Sequence, residues 1–417
     1  MRDFEAYAAR IVASGFITDP WFEGAPRFDS TPAILSVEQH RALCAAGEDL
    51  TLVLDEALRL LLDDDDQRAA FLRLAPAQEA MLQASGALWH GLARADVFVT
   101  DDGSLQVTEL NSDTPTGEPE AIVLGVLGQQ DHPELDDACA RLAPSLAALW
   151  TALHQTLVDD VAHKTAAIVY PTEFTEDLSL VRLYRQLLEE SGFKVILGSP
   201  FNLHADDDGG LSLFGERVTL LLRHYKTDWW GERESVWLDD AITDHEALRG
   251  PLTAVLTAQS RRKVAVANPF GSVAVQNKRL MAFCWERIHR FSTRSQQAIE
   301  RLIPYTARLE AVHEAQIRAD KDNWVIKSDY GAEGDEVIIG RFTDAAAWEK
   351  TLQLARPGRF IAQRFFQAKQ VDGVVENHGV FVVAGEACGV YTRRDKGHTD
   401  ASALSVPTLI KHDRSTS

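Results

Sequence analysis

The sequence predicts a protein of mixed α/β and α+β class, with helices first, a βαβ unit in the middle and strands towards the end. Residues 1–90 read as helical, and 37–62 carry apolar residues at helical spacing up to Asp63. From residue 164, an apolar strand, an amphipathic helix ended by Gly192 and a second apolar strand form the βαβ unit.

A β-hairpin is predicted where two alternating runs flank Asp102 and Gly103, because this dipeptide is typical of tight hairpin turns. Further helices are predicted near 118–129, 134–157 and 276–318. A second hairpin, turning at Ala384-Gly385, is predicted close to the C-terminal end. Strands thus dominate the later part of the chain.

Composition and charge exclude several classes of function. The 417 residues are 45% hydrophobic and 25% charged, which is ordinary for a globular protein with several subdomains. A net charge of −20 argues against nucleic acid as a partner and is compatible with a cationic substrate or with plain solubility. The sequence contains no apolar run of about 18 residues and no signal peptide, so we expect a cytoplasmic protein without a membrane partner.

The cysteine, histidine and serine patterns argue against familiar hydrolases. Cys44, Cys139, Cys284 and Cys388 lie far apart and form no CxxC pair, so each is expected to be a small buried hydrophobe. HExxH and GxSxG motifs are also absent from the sequence. A zinc hydrolase and an α/β-hydrolase are therefore disfavoured.

The hairpin around Asp102 carries the first candidate site. Side chains alternate along a strand, so four polar residues share one face of the two strands. Oxygen donors of this kind suit Mg²⁺, which keeps positions for phosphates and water. A polar, solvent-facing hairpin is an equally good interpretation of the spacing alone. The four residues are Arg94, Asp96, Glu109 and Asn111.

A second candidate site lies in the segment WVIKSDYGAEGDEVIIG, residues 324–340. An apolar strand ends at Lys327, and a loop with Gly331 and Gly334 precedes another apolar strand. Backbone N–H groups of glycines can approach phosphate oxygens closely, so the segment could cover a phosphate. The alternative is a β-turn with an incidental lysine, and the spacing alone favours that alternative.

Two further basic residues could support the same chemistry. Lys278 stands at the start of an amphipathic helix, and Arg393 stands at the end of a strand, beside Arg394 and Asp395. An arginine there could hold developing phosphate charge. By themselves, however, these residues also fit a solvated helix start and a salt-bridged surface strand.

Taken together, the order of these motifs resembles the synthetase domain of the glutathionylspermidine synthetase family and its stand-alone relatives, which are circularly permuted ATP-grasp ligases. The combination of ExNxDTP with KxDYGxEGDEV carries most of the resemblance. The matching segments are ARAD (93–96), VTELNSDTPTG (107–117), NK (277–278), VIKSDYGAEGDEVIIG (325–340), IAQRF (361–365) and NHGVFVVAGEACGVYTR (377–393).

The resemblance implies a glutathione-synthetase-like ATP-grasp fold in four segments. An N-terminal helical segment, 1–90, packs on the ligase core. The metal-binding hairpin and its helices occupy 91–160, and a pre-ATP-grasp βαβ substrate domain occupies 161–275. The nucleotide-binding region, with a glycine-rich lid, occupies 276–417.

The resemblance also implies roles for individual residues. The Mg²⁺ ligands are Asp96, Glu109 and Asn111. The catalytic residues are Arg94, which holds the substrate carboxylate, and Arg393, which stabilises the transferred phosphate. The nucleotide contacts are Lys278, Lys327, Tyr330, Gly331, Gly334 and Gln363, the last at the adenine hinge. The substrate contacts are Arg94, Gly117 and Glu176.

The activity implied is an ATP-dependent ligation of a carboxylate and an amine through an acyl phosphate. The expected partners are a small-molecule or peptide carboxylate and a cationic, polyamine-like amine, with a homodimer left open. Gly117 stands where the family has a serine that contacts glutathione, so the identity of the acid is open. The alternatives are a peptide-tailoring or other amide ligase, a phosphotransferase, and an ATP-binding scaffold without turnover.

Overall fold

The structure is a computed structural model with side chains. The residues it describes are 2–89, 91–173, 175, 177–231, 235–240, 248–331, 336–396 and 403–412.

Helices are distributed along the whole described chain. The α-helices are α1 (Arg2–Ala13), α2 (Val37–Leu62), α3 (Asp65–Leu72), α4 (Pro76–Ser85), α5 (Glu118–Asp131), α6 (Leu142–Leu157), α7 (Leu178–Glu190), α8 (Thr227–Trp230), α9 (Arg249–Ser260), α10 (Ser272–Val275), α11 (Arg279–Glu286), α12 (Thr293–Leu302), α13 (Glu314–Ala319) and α14 (Ala345–Leu354). Short 3₁₀ turns lie at Pro200–Asn202, Ile288–Arg290, Leu309–Ala311, Lys321–Asn323 and Gly340–Phe342.

Strands alternate with these helices. They are β1 (Trp21–Phe22), β2 (Ala25–Pro26), β3 (Ala33–Ser36), β4 (Leu92–Val99), β5 (Leu105–Asn111), β6 (Asp136–Asp137), β7 (Thr165–Val169), β8 (Lys194–Gly198), β9 (Leu203–Ala205), β10 (Leu211–Leu213), β11 (Glu216–Val218), β12 (Leu220–Arg223), β13 (Ala265–Ala267), β14 (Thr306–Arg308), β15 (Trp324–Ser328), β16 (Val337–Ile339), β17 (Phe360–Arg364), β18 (Gln370–Val371), β19 (Val374–Val383), β20 (Glu386–Lys396), β21 (Leu404–Val406) and β22 (Thr408–Lys411).

A six-stranded antiparallel sheet forms the centre, in the order β21-β20-β19-β4-β5 with β18 added beside β19. Alternation divides β4 between two faces: Ala93, Ala95 and Val97 are buried in the core that includes helix α2. The polar residues of β4 point to the opposite face. The register shifts at a β-bulge between Asp96 and Val97, and this shift places Arg94 opposite Asn111 and Asp96 opposite Glu109. The four residues therefore share one face, as predicted.

Helix α2 begins and ends where its periodicity predicts. The Ser36 hydroxyl accepts a hydrogen bond from the Gln39 backbone N–H at 3.2 Å, and the Gln39 side chain accepts from the Ser36 N–H at 2.8 Å. This reciprocal cap satisfies two donors that the first turn leaves unpaired. Leu50 and Leu54 on its apolar face are buried against the central sheet.

The predicted βαβ unit is confirmed. Strands β8, β7, β12 and β13 lie side by side in a fully parallel sheet, and α7 connects β7 to β8. Strands β7, β12 and β13 are each buried along their whole length. Parallel strands covered on both faces take such continuous apolar sequences.

A third sheet, antiparallel and ordered β14-β17-β15-β16, meets the central one at β5, and the region where the two sheets face each other is called the cleft below. One face carries Trp324, Ile326 and Phe360 into a separate apolar core with α14. Since side chains alternate, Lys327 on β15 lies on the other face. This face lies towards the central sheet, as shown by the hydrogen bond that Lys327 Nζ donates to the backbone oxygen of Thr108 on β5.

Three sequence predictions need correction in detail. The stretch 1–90 is mostly helical, but β1, β2 and β3 interrupt it, and β3 pairs in parallel with the C-terminal β22. The helix expected from 134 begins at Leu142, because β6 pairs with β22 first. The stretch 276–318 contains the edge strand β14. These strands are two to four residues long, too short for a periodic signal.

Among the described helices, none combines the length and the apolar character that crossing a bilayer requires.

Candidate functional site

The centre of the candidate site is a carboxylate held between two arginines on the polar face of the central sheet. Arg94 Nε donates to Asp96 Oδ1 at 2.9 Å, and Arg393 Nη2 donates to Asp96 Oδ2 at 3.2 Å. Burial by itself would raise the pKa of Asp96, but the charges of Arg94 and Arg393 outweigh it and hold that pKa below its usual value. Asp96 is therefore ionised and fixes both guanidinium groups.

The Arg94 side chain can lie across β19 because the β19 residue opposite Asp96 is a glycine, Gly379. A Cβ at Gly379 would stand 2.8 Å from Arg94 Cδ, closer than two carbons can pack. The Arg94 guanidinium then reaches the loop after β5, where Nη1 donates to the Thr116 carbonyl at 2.5 Å. Gly379 was not among the predicted site residues, since its requirement comes from a distant strand.

The hairpin partner β5 supplies the other predicted metal ligands. Asn111 Nδ2 donates to Glu109 Oε1 at 3.3 Å, so the two side chains lie together as predicted. The second Glu109 oxygen lies 3.3 Å from Lys278 Nζ. A carboxylate on the hairpin thus meets the lysine that directly precedes α11.

Two buried lysines converge on this carboxylate. Lys278 Nζ also donates to the Gly331 carbonyl at 2.5 Å, and its backbone N–H donates to the Asp329 carbonyl at 2.9 Å. Lys327 Nζ donates to the Thr108 carbonyl at 3.3 Å. Burial lowers the pKa of Lys327 to about 8, with the charge of Lys278 adding to the shift and that of Glu109 opposing it. Both predicted lysines therefore face one cleft.

The base of the predicted lid is firmly anchored. Asp329 pairs with Arg359, whose Nε lies 2.5 Å from Asp329 Oδ2. The hydroxyl of Tyr330 donates to the Val273 carbonyl at 2.6 Å. Gly331 follows directly, whereas the predicted nucleotide contact Gly334 lies outside the described residues.

Gln363 shares the cleft-facing side of its sheet with Lys327. It is buried on β17, and its Nε2 donates to Thr306 Oγ1 on the neighbouring strand at 3.0 Å. The strand register places Gln363 opposite Val325, two residues from Lys327 on the same face. The orientation of the Gln363 side chain is therefore fixed by a hydrogen bond within its own sheet.

At the far end of Arg94, Gly117 caps α5 in a left-handed conformation with φ of +102°. A Cβ there would come within 3.0 Å of Tyr391 Cε1, and the Tyr391 hydroxyl bonds the Ser405 hydroxyl. Both the backbone and the tyrosine therefore disfavour any side chain at position 117. The predicted substrate contact Glu176 lies outside the described residues.

A buried ion pair joins the hairpin to the parallel-sheet domain. Asp113 Oδ1 lies 2.6 Å from Arg223 Nη1, and Asp113 Oδ2 accepts from the Thr227 backbone N–H at 2.6 Å. Ser272 donates to the same carboxylate at 2.9 Å. The DTP break after β5 thus anchors the loop that carries Gly117.

Alternation along β19 could have revealed one further site residue. Asn377 lies two residues before Gly379 on the same face and directly opposite Arg393. Its hydrogen bond to Asp96 helps to lower the pKa of that carboxyl, and among the described residues its Oδ1 has no partner. A buried amide oxygen beside Asp96 that has no hydrogen-bond partner among the described residues can serve as a ligand for a cation.

The residues present fit Mg²⁺ and a polyphosphate. Within the described ranges, no group of three His, Cys, Asp or Glu side chains could hold a metal by itself. The available donors are instead two carboxylates and amide oxygens, which suits Mg²⁺, since it completes its shell with phosphates and water. Three cations line the same cleft, which suits phosphate oxygens. The oxygen donors are Asp96, Glu109, Asn111 and Asn377, and the cations are Lys278, Lys327 and Arg393.

Two sheets facing one cleft, with a parallel βαβ domain beside them, define an ATP-grasp-type fold of the glutathione synthetase kind. The chain belongs to the family described as glutathionylspermidine synthase preATP-grasp, whose model matches residues 29–411. The expected fold class and the family resemblance are thereby confirmed.

Similarity to a solved structure with a TM-score of 0.60 supports the fold. A glutathione synthetase-like effector from Globodera pallida, solved in its apo form, superposes with a TM-score of 0.60 at 10% identity, covering 97% of this chain and 95% of that one. A putative gamma-glutamylcysteine synthetase from Methylobacillus flagellatus KT gives a TM-score of 0.46 at 15% identity, covering 91% of this chain and 88% of that one. No curated protein matches the sequence.

Proposed function

We propose that this protein is an ATP-dependent carboxylate–amine ligase, which forms an amide through an acyl phosphate and releases ADP. The observation that carries the proposal is the single cleft in which Arg94 and Arg393 flank Asp96 while Lys278 meets Glu109. An anion-binding arginine and a polyphosphate-binding set of cations are what such a reaction needs side by side.

Arg94 is the residue proposed to bind the acid. Its guanidinium is planar and can hold a carboxylate through two parallel hydrogen bonds. Asp96 and the Thr116 carbonyl already orient it, so it loses little freedom when the acid arrives. The same guanidinium would stabilise the oxyanion that forms when the amine attacks.

Lys278, Lys327 and Arg393 are proposed to offset phosphate charge. Transfer to a carboxylate requires two anions to approach each other, and three cations in one cleft reduce that repulsion. Asp96, Glu109 and Asn111 are the residues proposed to hold Mg²⁺, with Tyr330, Gly331 and Gln363 around the nucleotide. When bound, the metal would neutralise developing phosphate charge as a Lewis acid.

The proposed substrates are a small-molecule or peptide carboxylate and a cationic amine. The family name makes glutathione and spermidine the first pair to test. A second candidate, an amide ligase with another acid, is favoured by the packing of Tyr391 against Gly117. That contact leaves no room for a side chain at the position where a serine would contact glutathione.

The proposal is tested by incubating the protein with Mg-ATP and a matrix of acids and amines. Release of ADP and the product mass are followed for glutathione, other γ-glutamyl peptides and simple carboxylates, each with spermidine, other polyamines and amino acids. ADP release that requires both an acid and an amine supports the ligase. A phosphorylated product without an amine requirement supports a phosphotransferase, and ATP binding without turnover on any pair supports a scaffold.

A further inference from the structure

Glu118, the first residue of α5, carries a carboxyl group into the protein interior, where an ionised carboxyl is costly in free energy. Its side chain is fully buried. Oε1 accepts a hydrogen bond from the Tyr184 hydroxyl at 3.1 Å, and Oε2 has no partner among the described residues. A buried carboxyl left half-paired costs free energy, so its retention beside the site calls for an explanation.

Glu118 follows directly on the two loop residues that the Arg94 guanidinium approaches. The Arg94 Nη1 donates to the Thr116 carbonyl, and a Cβ at Gly117 would lie 3.6 Å from that same nitrogen. The loop from 116 to 118 therefore runs along the guanidinium, and the charge of Arg94 acts on the Glu118 carboxyl.

The other groups around Glu118 do not neutralise it. Glu120 and Asp177 are two further carboxyls near Glu118, and they repel each other. Arg27 already pairs with Glu120 at 3.4 Å. Trp150 of α6 packs edge to face with the Tyr184 ring and is uncharged. Further along α5, Arg10 pairs with Asp131 and Asp137 lies against Gly125, both away from the first turn. The titratable neighbours of the first turn are Arg94, Glu120, Asp177, Tyr184, Cys388 and Tyr391.

We propose that Glu118 is a positioning residue for Arg94: its neutral carboxyl leaves the guanidinium available to the acid substrate, and its ionised carboxylate competes with that acid. The inference rests on the proposed role of Arg94 in binding the acid. Asp96 already pairs with one side of Arg94. An ionised Glu118 would be a second carboxylate near the guanidinium and would weaken its attraction for the carboxylate of the substrate.

The balance between the two forms falls near the physiological range. Burial raises the pKa of Glu118 to about 8, opposed by the charge of Arg94 and the hydrogen bond from Tyr184. Near pH 7 the carboxyl is mostly neutral, and it ionises as the pH rises through about 8. Acid binding should therefore weaken on the alkaline side.

The test uses the free, full-length protein labelled with ¹⁵N at arginine Nε, with the Arg94 signal assigned by its loss in R94K. We expect the Arg94 Nε–H resonance to show a titration step with a midpoint near pH 8. In E118Q, which keeps the shape of the side chain, the step should vanish. In Y184F, which removes the hydrogen bond that lowers the pKa, the midpoint should move upward.

Absence of a step between about pH 6 and 9.5, or an unchanged step in E118Q, would overturn the inference. No substrate enters this measurement, so its failure leaves the ligase proposal standing. Conversely, the ligase proposal would be overturned if no acid and amine pair of the substrate screen gave ADP release that depends on both, whatever the titration shows. With an active pair, KM for the acid should rise about fivefold or more above pH 8 in the wild type and clearly less in E118Q, where Lys327 still titrates in this range but position 118 does not. An equal rise in both would also overturn the inference.

Discussion

Arg393 on β20 lies 3.2 Å from the carboxylate of Asp96 on β4, although 297 positions separate the two residues in sequence. Strand β19 stands between β4 and β20, so the contact exists only once all three strands have paired. The site is thus a product of the central sheet rather than of any local motif.

Replacing Asp96 by asparagine should abolish ligase activity and destabilise the protein. Arg94 would lose its counter-charge in a buried place, and the half-buried Arg393 would lose one of its partners. Breaking a buried pair such as Arg94–Asp96 typically costs about 3–5 kcal/mol. Urea unfolding measures the loss. The matched control is E386A, which breaks the exposed Arg141–Glu386 pair and should cost less than about 1 kcal/mol. Equal stability of the two variants would contradict the buried-pair account.

Substituting Gly379 by alanine should damage catalysis more than folding. The new Cβ would stand 2.8 Å from Arg94 Cδ and push the guanidinium out of place. Misplacement of about 1 Å can cost on the order of a hundredfold in rate, so kcat/KM for the acid should fall at least about tenfold. G250A, on a helix position with open space around it, is the control and should keep wild-type kinetics. Unchanged kcat/KM in G379A would show that Arg94 does not need this space.

Glu109→Gln and Asn111→Ala should each remove most of the turnover while leaving the fold intact. Both side chains lie at the surface of the cleft rather than in the apolar core, so circular dichroism spectra should match the wild type. Loss of a metal ligand should raise the Mg²⁺ concentration needed for half-maximal rate. Full activity in either variant would contradict the proposed roles of Glu109 and Asn111 as metal ligands.

The stability of E118Q relative to the wild type should depend on pH. Because the folded-state pKa of Glu118 is raised from 4.5 to about 8, its contribution to stability is fully present below about pH 4.5 and is lost as the pH rises through 8. Glutamine cannot ionise, so E118Q should gain on the wild type across this window, by up to a few kcal/mol.

Denaturant unfolding of both variants from about pH 5 to 9 measures this difference. The pKa of Asp137 is raised by burial to about 6, but this group is common to both proteins and cancels in the difference. A constant difference across the range would show that Glu118 carries no raised pKa.

Local patterns predicted the parts of the site that depend on one or two neighbouring strands. Alternation placed Arg94 and Asp96 on one face of β4, and Glu109 and Asn111 on one face of β5. The Asp102-Gly103 turn predicted that the two strands pair, whereas the β-bulge between Asp96 and Val97, which sets the pairing of these four residues, was not predicted. The role of each side chain towards metal and nucleotide stays a prediction.

The parts that escaped prediction depend on contacts between distant segments. Gly379 is required only because Arg94 lies across it, and nothing in the surrounding β19 sequence signals this. The buried Glu118 carboxyl is paired by Tyr184 on α7, a helix that begins 60 residues further along the chain. Strand β22 closes onto β3 near the opposite end of the chain, a pairing too short and too non-local for periodicity to indicate.

The most direct test of the central claim follows oxygen from the acid to the phosphate. The acid of an active pair is labelled with ¹⁸O in its carboxylate and turned over with Mg-ATP and the amine, and the released phosphate is analysed by mass. Attack of the carboxylate on the γ-phosphate requires one ¹⁸O per turnover to appear in the phosphate. Phosphate without label, released together with the amide, would contradict an acyl-phosphate ligase.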